Sequence, residues 1–164
     1  MRKRNVMRRV AGSAVRLLLA AFVAWHLAQA ATITITGSWS RVIGAGDLTG
    51  GPGTNLTATY TSAANQVLLG VTTTGVNWRV DVRRIDTIWH ANFVLSIRRT
   101  GFGSGTGSVT GGGGFQAITT TSQAFVTGSG NRAGIQLQER LGGVSVSIPA
   151  ATYTTTIVYT VVDT

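Results

Sequence analysis

Apolar and polar residues alternate with a period of two along much of the chain, and no stretch sustains a 3.6-residue apolar period. "ATITITGSW" (31–39) sets Ile33, Ile35 and, further on, Trp39 against Thr32, Thr34 and Thr36. "NLTATYT" (55–61) alternates Leu56, Ala58 and Tyr60 with threonines. "VNWRVDVRR" (76–84) sets Trp78, Val80 and Val82 against Asn77, Arg79, Asp81 and Arg83. "NFVLSIRR" (92–99) sets Phe93, Leu95 and Ile97 against Val94, Ser96 and Arg98. "QVLLGVTTT" (66–74) is a continuous run of the buried type. With 123–128, 133–140, 143–149 and 152–162, nine strands are predicted.

Threonine at the outward positions suits a pleated surface, because its β-branch packs against cross-strand neighbours while its hydroxyl meets water. A strand with one apolar face needs a second sheet to cover it. The expected fold is therefore all-β: a single Ig-like antiparallel β-sandwich. Trp78 shares the phase of Val80 and Val82 and is expected in the core. The closing stretch "IPAATYTTTIVYTVVDT" (148–164) adds Tyr153, Ile157, Tyr159 and Val161 as core positions. Its strand is expected inside a sheet, paired on both sides.

Two segments interrupt the alternation. "GAGDLTGGPG" (44–53) and "GFGSGTGSVTGGGG" (101–114) are glycine-rich and lack apolar surface to offset their ordering entropy, so they read as mobile loops.

The first thirty residues stand apart from this pattern. Six basic residues precede Leu17, "LLLAAFVAWHL" (17–27) is apolar, and "AQA" (28–30) supplies small residues for a peptidase. This is the layout of a secretory signal cleaved after Ala30, which leaves residues 31–164 as one domain. The apolar run is shorter than the roughly 20 residues a membrane span needs, so no span is expected after cleavage. The whole chain carries +9, but eight Arg against five acids, a balance of +3, remain beyond residue 30. Specific nucleic-acid binding is therefore not inferred from charge. The absence of cysteine removes any disulfide framework.

The catalytic inventory is thin. His90 has Asp86 nearby but no serine in a nucleophile elbow, and the pair matches no metal motif with Asp81. No lysine follows residue 30, which excludes a Walker loop there. The single Glu139 sits beside Arg140 at what reads as an exposed strand end, so a carboxylate pair for glycoside hydrolysis is lacking. The sequence points away from an enzyme and to no cofactor or metal. Arg79, Arg83, Arg84, Arg98 and Arg99 fall close together with Trp78 and Trp89. If their strands are neighbours they form a basic face for an acidic polymer or a cell-wall or surface polysaccharide.

Ala150-Ala151-Thr152-Tyr153 followed by Ile157–Val161 resembles the closing strand of the spore coat protein U-like and pilin-type group, with Ala151 where glycine is usual. Trp78-Arg79-Val80 and Tyr159-Thr160-Val161 resemble more weakly the paired motifs of WxL cell-surface domains. The first resemblance implies a secreted or cell-surface structural protein that self-associates into a filament or coat. In that group an N-terminal strand is donated to the next subunit. Ile33 and Ile35 are the donor-strand candidates here, although they equally suit the first strand of the protein's own sandwich. The alternative function is a monomeric surface module that binds a polymer through the Arg-rich face.

Overall fold

The computed structural model describes residues 31–73 and 77–164. The predicted leader (1–30), and residues 74–76 where two predicted strands meet, lie outside the described residues. Within them the strands are β1 (Thr32–Thr36), β2 (Thr59–Thr61), β3 (Val67–Thr72), β4 (Asn77–Ile88), β5 (Val94–Arg99), β6 (Ser104–Gly105), β7 (Val109–Gly111), β8 (Gln116–Ala117), β9 (Gln123–Ser129), β10 (Arg132–Gly142) and β11 (Thr154–Asp163). No helix among the described residues is long and apolar enough to cross a membrane.

The strands form two antiparallel sheets. One has seven strands in the order β1-β3-β10-β5-β8, with β2 and β6 also paired to β10; the other has four in the order β11-β4-β9-β7. Val67, Leu69 and Val71 of β3, Ile97 of β5, and Ile135 and Leu137 of β10 form one side of the core. Trp78, Val80 and Val82 of β4, with Phe125 and Val126 of β9, form the other. Fully burying side chains of this size contributes about 1.5–3 kcal/mol each, which is what holds a sandwich without disulfides. Trp78 is fully buried and its Nε1–H donates to the Gly130 carbonyl at 2.8 Å, so the indole enters the core with its polar atom satisfied. Phe125 and Val126 are adjacent yet both buried because β9 bulges here: Val80 pairs with Val126 while Asp81 pairs with Ala124.

Several expectations are corrected. The run 66–74 is not buried on both faces: β3 alternates, with Val67, Leu69 and Val71 inward and Leu68 37% exposed. Residues 143–149 form a turn rather than a strand. Gly143 has φ +78°, where an added Cβ would meet the Asn92 carbonyl, and this kink ends β10. The glycine-rich segment 101–114 contains β6 and β7, hydrogen-bonded to β10 and β9 respectively. Gly103, Gly105 and Gly107 lie so close to the β9–β10 hairpin that a Cβ would come within 2.2, 2.2 and 2.0 Å of the Ala133, Asn131 and Ser129 carbonyl oxygens. Arg132 tightens this contact, donating to the carbonyls of Phe102 (2.6 Å), Gly103 (3.1 Å) and Gly105 (3.1 Å). The glycines here serve close backbone approach. Finally, β11 is not paired on both sides. It is an edge strand.

Candidate functional site

β1 and β11 are edge strands on the same flank of the sandwich. At one end of this seam the sheets meet, where the Ala31 N–H lies 3.2–3.3 Å from both carboxylate oxygens of Asp163. Toward the other end a cleft of about 790 Å³ opens between them. Its seven-stranded wall is Val67, Leu95, Glu139 and Leu141; its opposite wall is Ile157 and Tyr159 of β11. The segment 37–43, including Trp39 and Ile43, and the turn after β4, with Trp89 and Phe93, complete it.

That turn is organised by aromatic packing. The Phe93 ring meets Trp89 edge-on at 5.3 Å and Tyr153 at 5.0 Å, with His90 against both Phe93 and Tyr153. His90 Nδ1 accepts the Asn92 N–H at 3.2 Å, which fixes the ring in the turn. Tyr153 donates its hydroxyl to the Pro149 carbonyl at 2.8 Å. A second small core of Tyr60, Phe93 and Val144 lies behind the turn.

Glu139 is the unexpected member of this site. It is 5% exposed, and its Oε2 has no hydrogen-bond partner among the described residues. Desolvation raises its carboxyl from 4.5 to about 7. Tyr159 lies close enough for the Glu139 charge to act on it. Burial, and then that charge, push its phenol up, and its hydroxyl is also unpartnered. Trp89 Nε1 is a third buried polar atom without a partner among the described residues. The reading of Glu139 as an exposed strand end was wrong. The signal that finds it is phase: Ile135, Leu137, Glu139 and Leu141 occupy alternate positions of one strand, so the carboxylate shares the phase of the apolar residues on either side of it. Nothing in the sequence pairs Trp89 or Trp39 with it.

No protein-family profile, curated protein or solved structure matches this chain. The functional reading therefore rests on where the side chains lie.

The five clustered arginines do not form one face. β4 pairs with β11 and β9, whereas β5 pairs with β10 and β8, so the two strands belong to opposite sheets. The chain crosses between sheets in the Trp89–Phe93 turn, which the sequence pattern does not reveal. Arg79 and Arg83 lie in the outward phase of the four-stranded sheet, and Arg79 is ion-paired to Asp81 at 2.6 Å. Arg84 is tied to Asp86, the Ile118 carbonyl and the Trp89 ring. On the other sheet Arg98 donates to Gln138 and stacks, with Arg140, on Phe115. Arg99 donates to the Gly111 carbonyl over the Phe102 ring.

The donor-strand candidates are placed on the chain's own sheet. β1 pairs with β3 from Thr32↔Thr72 to Thr36↔Leu68, with Ile33 packed on the core and Ile35 39% exposed at the cleft. Ile157, Tyr159 and Val161 of β11 pack against the main core and Tyr153 against the second.

Proposed function

We propose that this chain is an exported structural module of a cell surface that pairs with copies of itself by strand addition, with β11 as the docking edge. The single observation behind this reading is that edge. β11 has ten residues, pairs with β4 along one side, and has no backbone partner on the other among the described residues. It contains neither proline nor lysine, the devices that usually blunt an exposed edge. Ten residues span roughly 33 Å, and two such edges lying antiparallel would exchange about ten backbone hydrogen bonds. The leader-like first thirty residues support export. Donation of β1 gains less: it breaks an existing five-residue pairing and re-forms the same contacts elsewhere. Polymer binding through an Arg-rich face lacks the single surface it requires.

The test is light scattering over a concentration series on protein exported from the full-length gene, beside a variant carrying Thr156→Lys and Thr160→Lys. Both positions are exposed on β11, and position 160 lies opposite Asp81, which receives the new charge. The proposal expects concentration-dependent association in the parent and a monomer of unchanged stability in the variant. A parent that stays monomeric, or a variant that associates equally well, overturns it. If removing residues 31–36 blocks association while the lysine variant associates, the interface is β1.

A further inference from the structure

Glu139 Oε2, Tyr159 Oη and Trp89 Nε1 belong to three different elements, yet all three residues line one cleft. Each buried polar atom left unpaired costs roughly 1–3 kcal/mol, and solvent reaches none of the three to offset it. One misphased strand would leave one such atom. All three lie behind the lining of a single cleft, and two of them, the Glu139 and Tyr159 oxygens, accept from a donor in the open volume once the side chain turns toward it. The volume of about 790 Å³ suits a small molecule.

We propose that the cleft binds an amphipathic amine: an apolar or aromatic body carrying one protonated amino group. The body matches the walls, where Trp39, Ile43 and Ile157 are only partly buried. The amino group matches the inner end, where Glu139 is the only carboxylate among the described residues that line the cleft. Arg41, the cationic lining residue, does not compete for Glu139. It is ion-paired to Asp47 and stacked over the Tyr60 ring at 5.1 Å. An anionic amphiphile would meet Glu139 with like charge. An alcohol could bond one orphan atom but would gain no ion pair. The carboxylate reaches the head group by a rotamer change toward the open volume. This inference goes beyond assembly, because it uses the side chains of Glu139, Tyr159 and Ile157 rather than the backbone groups of the β11 edge.

The test is calorimetric titration of the exported protein with three probes of one body: 4-butylbenzylamine, 4-butylbenzyl alcohol and 4-butylbenzoic acid. The amine should bind one-to-one, at least about tenfold tighter than the alcohol, with the acid weakest. Glu139→Gln should reduce amine affinity to within about twofold of the alcohol while leaving alcohol binding unchanged. With a carboxyl titrating near 7, amine affinity should rise about tenfold from pH 6 to pH 8, and alcohol affinity should stay flat. The other titratable groups at the site are Tyr153 and Tyr159, Arg41, and His90 behind Phe93, so His90→Gln should keep the same pH profile. Equal affinities for the three probes, no saturable binding at millimolar amine, or a pH profile that vanishes with His90 would each overturn the assignment. Should the Gln variant fail to fold, the ranking of the probes on the parent protein decides alone.

Discussion

Replacing Glu139 with Gln should change how stability depends on pH more than it changes stability itself. Desolvation raises the folded carboxyl from 4.5 to about 7. The native state then holds this proton through a range in which the unfolded chain has released it. Stability falls as pH rises wherever the native state binds more protons, so this group makes the protein less stable between about pH 4.5 and pH 7. Outside that window its contribution is constant. The span corresponds to roughly 3 kcal/mol. Gln cannot ionise, so the variant lacks this decline. Any cost of burying its amide is the same at every pH. Asp47, whose carboxyl is lowered by the Gly44 N–H and by Arg41, contributes the opposite slope at lower pH, and it cancels because both proteins carry it. Urea unfolding at pH 4, 5.5, 7 and 8 reads the effect. The gap between the two midpoints should shift in favour of Gln by roughly 1–3 M from the lowest to the highest pH. Parallel midpoints across the series would refute the account of Glu139 as a desolvated, unpartnered acid.

Three further outcomes follow from the packing. Trp78→Ala removes a fully buried indole and its bond to Gly130, and should cost about 3–5 kcal/mol in denaturant unfolding. Gly105→Ala places a Cβ 2.2 Å from the Asn131 carbonyl oxygen at φ +124°, and should lower the melting temperature far more than Gly113→Ala, where the Cβ meets nothing within 4 Å. Arg132→Ala removes the donor that joins the carbonyls of Phe102, Gly103 and Gly105. It should cost about 1–2 kcal/mol and speed amide exchange in β6 before any other strand.

The alternation in β1, β2, β4, β5 and β11 was enough to predict an all-β fold with two facing sheets. Period two reports which side of a strand is apolar. It does not report which strand lies beside which. This is why β4 and β5, neighbours in sequence and alike in composition, looked like one basic face and lie on opposite sheets. The short strands β6, β7 and β8 were missed for a related reason. At two or three residues they carry no periodicity; close backbone approach permitted by glycine holds β6 and β7, and pairing with β5 holds β8. Glu139 was legible in principle, since its phase matches Ile135 and Leu137. The bias that acids lie outside prevailed, as it usually does for an acid without a partner. The edge position of β11 was not legible, because a Thr/Val strand reads alike at an edge and inside a sheet.

Amide hydrogen exchange resolved along β11, measured on the exported protein at low and at high concentration, tests the docking edge most directly. The account predicts that alternate amides, those pointing away from β4, exchange rapidly in dilute solution and become protected as concentration rises, while the amides bonded to β4 stay protected throughout. If the outward amides are protected equally at every concentration, or remain fast in an associated species, β11 is not the edge through which this chain meets its copies.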